Sequence, residues 1–274
     1  MSTQDLRAPS GELGRAGTRL RYWLHGPPEG PLVVCTHGLS LDHRAFDDQI
    51  AALVGAGYRV LTWDIRGHGA SQPMGPEMSI AAAVDDLLAL LDAVGANRVV
   101  LVGESFGGMI TQDALSGHPE RVAAMVVIGA PELGDRPGPV MRTLQRLRIQ
   151  MIKLWPDALL RKVFATMVTK HPQVRDYVAE ATRQLSKPAF VAVSAAAMDG
   201  HLREADAPTH GRPLLLVHGT AEERPVARAM LRWAQRDPAA RHEVIEGGHL
   251  VHQENPSEFN AILLDFLEDH APTG

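Results

Sequence analysis

The sequence predicts an α/β protein: a parallel sheet with helices on both faces, and an all-helical stretch inserted between two of its strands. Three observations predict it. Branched apolar runs alternate with helical periodicities from Leu32 to Ile128 and again from Pro213 to Leu267. One run, Val99-Val100-Leu101-Val102, ends in Gly103-Glu104-Ser105-Phe106-Gly107-Gly108 and passes at once into a helical pattern. From Leu133 to Asp206 strand-like runs vanish and helical patterns follow one another.

Thr18 to His25 alternates, with Leu20, Tyr22 and Leu24 on one side, which suits an antiparallel edge strand. Leu32 to Thr36 reads as a buried strand running into His37-Gly38-Leu39-Ser40. Phe46, Ile50, Leu53 and Val54 fall at helical spacing, and Tyr58 to Trp63 is a further strand, followed by Asp64-Ile65-Arg66-Gly67-His68-Gly69. Ser79 caps a helix with Ile80, Val84, Leu87, Leu88, Leu91 and Val94 on its apolar face, stopped by Gly95. After the Ser105 segment comes the strand Val122 to Ile128. The inserted stretch then opens with a helix whose face reads Val140, Leu144, Leu147, Met151 and Leu154. Pro213 to Val217 resumes the sheet. A helix covers 226–235, Arg241 to Ile245 is the last strand, and Asn255-Pro256 start the closing helix in cap and first-turn positions.

The 274 residues suffice for one large domain, burying about three quarters of the unfolded surface. A net charge of −5 gives no electrostatic reason to expect nucleic acid or an anionic membrane as partner. Basic residues are scattered apart from a cluster between Arg142 and Lys153. The single cysteine, Cys35, allows no intramolecular disulfide and sits in a strand pattern as a small buried residue. No apolar run approaches the ~20 residues that span a bilayer, and 1–17 carries no charged-then-apolar signal pattern. A cytoplasmic location is the resulting expectation. The thirteen histidines show no paired metal-ligand spacing, so no metal and no cofactor are expected.

Residues just beyond the carboxyl ends of parallel strands converge on one edge of the sheet. Here these are His37, Asp64, Ser105, Glu132, Glu222 with Glu223, and His249. A serine hydroxyl becomes a nucleophile only beside a base that a third group orients. Ser105 stands at a strand-to-helix turn whose flanking glycines leave no place for a Cβ. His249 follows Gly247-Gly248, which lets its ring turn back over the sheet. Glu222 is the best-placed partner for that ring, with Glu132, Glu223 and Asp135 as competitors. Amides of Phe106 and Leu39 are the candidate donors for an oxyanion. His37 and the Asp64-to-Gly69 turn read as loop supports that bond to backbone.

From Thr18 to Leu267 the chain resembles the α/β-hydrolase superfamily, in particular its small esterases and lactonases with a helical cap. The resemblance rests on His37-Gly38, Asp64-x-Arg66-Gly67-x-Gly69, Gly103-x-Ser105-x-Gly107-Gly108, His218-Gly219 and Gly247-Gly248-His249, in that order. It implies the α/β-hydrolase fold with a mostly parallel eight-stranded sheet, a core of residues 1–132 and 207–274, and a cap of 133–206. It also implies a Ser105–Glu222–His249 triad in the chain order Ser, acid, His, with Leu39 and Phe106 as the oxyanion hole. Glutamate stands where most relatives carry aspartate. Relatives acting on macrocyclic lactones use a glutamate after the strand preceding the cap, which keeps Glu132 as an alternative acid. Epoxide hydrolases and haloalkane dehalogenases need aspartate where this chain has Ser105. Leu250, instead of tryptophan, sets it apart from the C–C bond hydrolases of aromatic ring cleavage.

The expected function is therefore serine hydrolysis of a small-molecule carboxylic ester or lactone with a hydrophobic body. The expected pocket comprises Ser40, Met141, Leu144, Met151, Trp155, Met167, Phe190 and Leu250. A thioesterase or acyltransferase, a C–C bond hydrolase, and a non-turnover receptor built on the same shell are the alternatives. No nucleic-acid partner and no membrane insertion are expected, and a homodimer is compatible with the sequence.

Overall fold

A computed structural model describes residues 8–135, 138–202 and 209–272. Its eight strands are β1 (Gly11–Arg15), β2 (Thr18–His25), β3 (Leu32–Thr36), β4 (Arg59–Trp63), β5 (Val99–Glu104), β6 (Val122–Ile128), β7 (Leu214–Gly219) and β8 (Ala240–Ile245). They form one sheet in the order β1-β2-β4-β3-β5-β6-β7-β8. β2 runs antiparallel to both neighbours, and the strands from β4 to β8 are parallel. The expected fold class is borne out.

Every residue of β3, β5, β6 and β7 is buried, because helices cover both faces of these central strands. Alternation divides their side chains between two cores. Val34, Leu101, Met125 and Leu216 pack with α2 (Ile80–Ala93), α3 (Phe106–Gly117) and α8 (Arg224–Arg236). Val33, Val100, Val126 and Leu215 pack with α1 (Asp47–Gly55) and α10 (Pro256–His270) on the other face. Cys35 is buried in this second core, which pushes its thiol pKa well above the usual range. Ser79 caps α2 by accepting a hydrogen bond from the Ala82 amide at 3.1 Å, a contact of about 1 kcal/mol.

Two expectations are corrected. β2 is not an edge strand, since β1 pairs with its outer side. β1 is Gly-Glu-Leu-Gly-Arg, and its backbone ladder forms without an apolar alternation to announce it. The second correction concerns α4 (Pro139–Leu154), which with α5 (Asp157–Val168), α6 (Pro172–Arg183) and α7 (Lys187–Leu202) lies between β6 and β7. Of the face of Val140, Leu144, Leu147, Met151 and Leu154, all but Met151 point outward, with Val140 74% and Leu154 81% exposed. α4 carries two apolar rows at helical spacing, and the row of Ile149 and Ile152 lies against the interior cavity instead. The cap's expected carboxyl boundary at 206 lies outside the described residues. Among those described, no helix is long and apolar enough to cross a membrane.

The loop after β4 is held from below. Arg66, buried, sets Nε and Nη2 on the two carboxylate oxygens of Asp86 at 2.7 Å each and donates Nη1 to the Glu77 carbonyl at 3.0 Å. Arg66→Met would leave the Asp86 charge buried with Arg15, 3.4 Å away, as its one remaining cation partner among the described residues. The expected loss is about 3–5 kcal/mol in urea unfolding; a loss below about 1 kcal/mol would mean that the pair behaves like a surface contact.

Candidate active site

β3 and β5 are neighbours, yet the chain proceeds outward from them in opposite directions, to β4 on one side and β6 on the other. That reversal opens a crevice at their carboxyl ends. Ser105 follows β5 there with φ 50° and ψ −111°, a conformation that a non-glycine residue adopts only when its surroundings enforce it. They do. The Ser105 amide donates to the Ile128 carbonyl at 2.8 Å, and its carbonyl accepts from Met109 at 3.2 Å. The flanking glycines are sterically required: a Cβ on Gly107 would lie 2.1 Å from the Thr36 carbonyl oxygen, and one on Gly103 would lie 2.5 Å from that of Gly107.

His249 lies in the loop after β8. Its Nδ1 donates to Glu222 Oε2 at 2.9 Å and Oε1 at 3.0 Å, and Nε2 is the ring edge that these bonds do not use. Glu222 is itself fixed, since Oε1 also accepts the Glu223 amide at 2.8 Å. Ser105, Glu222 and His249 line one cavity of about 520 Å³. Burial lowers the His249 pKa, but the hydrogen bond and charge of Glu222, with the Glu104 charge behind them, outweigh it and raise the value to about 9.

Of the competing carboxylates, Glu132 pairs with Arg236 and Asp135 with Arg232, both on α8. Glu223 is exposed and contributes its backbone amide to Glu222. The structure thus joins Glu222, and not Glu132, to His249.

Phe106 opens α3, so its N–H has no carbonyl within the helix to bond. Leu39, in the loop after β3, lines a second cavity of about 270 Å³ together with Ile149, Met151, Ile152, Trp155, Met167 and Phe190. Arg148, Phe164 and Met167 border both cavities, so the apolar space adjoins the one that holds Ser105. Of the expected pocket residues, Met151, Trp155, Met167 and Phe190 line this space.

Three others do not. Leu144 is exposed on the outer face of α4. Leu250 is fully buried, because it precedes the short helix α9 (Val251–Glu254) and packs into the second core. Ser40 is buried at φ 64° with no partner for its hydroxyl among the described residues, and lines neither cavity. The Met141 side chain lies outside the described residues.

The supports behave as expected. His37 bonds the Gly38 carbonyl through Nδ1 at 2.8 Å and accepts the Ile65 amide on Nε2 at 3.1 Å, which assigns the proton to Nδ1. Asp64 accepts from the His43 amide at 2.7 Å and the Ala70 amide at 2.6 Å.

Polar ties between the inserted helices and the site loops were not foreseen. Asp42, beside the Leu39 loop, meets the Tyr177 hydroxyl and the Gln184 amide. Glu254 accepts from the Gly248 amide and the Thr169 hydroxyl at 2.5 Å each, which joins the His249 loop to the segment between α5 and α6. These partners lie far apart in sequence, and no spacing announces them. Glu104 was also missed, although an acid closing an apolar strand is visible in the sequence.

The chain belongs to the alpha/beta hydrolase family, whose model matches residues 33–262. It is 40% identical over 119 residues to epoxide hydrolase A of Mycobacterium tuberculosis, a match that spans 43% of this chain and 37% of that protein's length. In structure it is similar to a hydrolase from Pseudomonas aeruginosa, with TM-score 0.81, 25% identity, and coverage of 94% of this chain and 97% of the other. It also shares the fold of an enol-lactonase from Burkholderia xenovorans, with TM-score 0.79, 23% identity, and coverage of 94% and 100%.

Proposed function

We propose that the protein is a serine hydrolase of carboxylic esters or lactones whose substrates carry a hydrophobic body. The observation that carries this reading is the strained Ser105 in one cavity with a glutamate-oriented imidazole. Ser105 Oγ attacks the carbonyl carbon while His249 Nε2 takes its proton, and Glu222 holds the ring and stabilises the imidazolium. The Leu39 and Phe106 amides receive the oxyanion, each such donor contributing roughly 2.7–4 kcal/mol to the transition state. The imidazolium then protonates the departing alkoxide, which remains tethered when the substrate is a lactone. A water molecule, deprotonated by His249, attacks the acyl-enzyme; the acid leaves and the proton returns to Ser105. A hydroxyl at position 105 favours this chemistry over the epoxide opening named for the mycobacterial relative.

The apolar 270 Å³ space beside the nucleophile supports the hydrophobic body. On p-nitrophenyl esters of increasing acyl length, kcat/KM is expected to rise by about fourfold per buried methylene until that space is filled. Trp155→Ala is expected to flatten the series. Failure of the wild-type protein to hydrolyse any ester or lactone would overturn the reading in favour of a binding role, and a preference for short polar acyl groups would remove the hydrophobic body from it.

A further inference from the structure

We propose that Glu104 is a positioning residue acting through His249, its carboxylate facing the Nε2 edge of the ring so that the imidazolium of the transition state forms between two carboxylates. The inference rests on the ester-hydrolase reading of Ser105 and His249, and adds to it a group that this reading does not require.

Glu104 closes a strand buried at all six positions and is itself 1% exposed. A carboxylate is costly there without a cation. Among the described residues, the one basic group within ion-pair distance is His249, whose Nε2 lies 3.5 Å from Glu104 Oε1. At that distance the contact is Coulombic, which leaves the Nε2 lone pair available for a serine hydroxyl. The other oxygen, Oε2, has no side-chain partner among the described residues, and the Gly38 backbone amide is the donor that favours its charge. Oε2 rests against the Leu39 loop, where a Cβ on Gly38 would lie 2.0 Å from it. A purely structural side chain in such a place is served as well by an apolar residue; this one is an acid, aimed at the base.

Glu222 and Glu223 face His249 from the loop after β7, and His252 faces it from α9. Arg148, Lys170, Glu246 and Glu254 border the same cavity. Burial raises the Glu104 pKa, the His249 charge holds it back, Glu222 pushes it up again and the Gly38 amide lowers it slightly, to about 7. Glu104 is therefore ionised on the alkaline side of neutrality, where His249 begins to lose its proton.

The consequence follows from linkage. A charge at Glu104 favours the imidazolium equally in the protonated free enzyme and in the transition state. Starting from protonated enzyme at acid pH, the two effects cancel. Starting from neutral His249 at alkaline pH, only the transition state gains. Removing the charge must therefore lower the alkaline plateau of kcat/KM and move the acid limb to lower pH by matching amounts.

The test is the pH profile of kcat/KM for Glu104→Gln and Glu104→Asp, with p-nitrophenyl butanoate as probe. In Glu104→Gln the limb is expected to shift down by about one pH unit, and the plateau to fall by the corresponding factor of about ten. The two profiles are expected to converge at acid pH, and Glu104→Asp, which keeps the charge, is expected to recover part of the wild-type limb. A Glu104→Gln profile parallel to the wild type at every pH, unchanged or uniformly lowered, overturns the inference. If Glu104→Gln fails to fold, the NMR titration of the His249 ring in the wild-type protein decides. A second inflection near the Glu104 pKa of about 7 supports the contact, and a single step overturns it. Ser105→Ala measured in parallel separates the two readings, because retained turnover there defeats the nucleophile assignment while the NMR titration still reports on Glu104.

Discussion

Ser105→Ala is expected to lower kcat for a chromogenic ester by about a million-fold, with little change in KM or in thermal stability. The loss is this large because the acyl-enzyme route is closed, and what remains comes only from binding and from any oxyanion donors acting on a direct attack by water. Stability is expected to hold or rise. Ser105 is held at φ 50° by its Ile128 and Met109 backbone bonds and by the close approach of Gly107 to the Thr36 carbonyl, none of which uses the hydroxyl. Retained turnover would move the chemistry away from Ser105.

The second large effect separates two glutamates. Glu222→Gln keeps the shape of the side chain but offers the imidazole a neutral partner in place of a charge, and the amide group can force the wrong tautomer on the ring. In the serine protease triad the matching change costs about ten thousand-fold in kcat, and a loss of that order is expected here. Glu132→Gln removes only an ion pair with Arg236, a residue 55% exposed at its side chain, and is expected to leave kcat within about threefold. Equal losses in both variants, or the larger loss in Glu132→Gln, would transfer the acid role. The His249 pKa sets a further expectation. With its value raised to about 9, the free enzyme holds a protonated base at neutral pH, so kcat/KM climbs through the alkaline range instead of levelling off near pH 7.

What the sequence disclosed followed from how strongly burial constrains residues. β3, β5, β6 and β7 are buried on both faces, so their branched apolar runs could be read directly. Ser79 and Gly95 marked the ends of α2 because capping chemistry is local. Gly103 and Gly107 betrayed the elbow because close backbone approach admits nothing larger. β1 stayed hidden, since an edge strand with two glycines is held by its ladder with β2 and not by side-chain burial. α4 misled because both of its faces carry apolar rows, and which row turns inward depends on how the inserted helices pack. The choice of Glu222 over Glu132 was legible only as a preference, from the place of Glu222 in the loop after β7, and the fold pairs Glu222 with His249. Both follow strands, and only the placement of Arg236 on α8 draws Glu132 away. Glu104 was visible as a residue, but its direction, toward His249 and against Gly38, is a property of the folded elbow alone.

Intact-protein mass spectrometry after exposure to a fluorophosphonate tests the nucleophile most directly. A single adduct is expected, mapping to Ser105, absent from Ser105→Ala and strongly slowed in His249→Ala. An unmodified Ser105, or an adduct on another residue while ester turnover persists, would contradict the hydrolytic account.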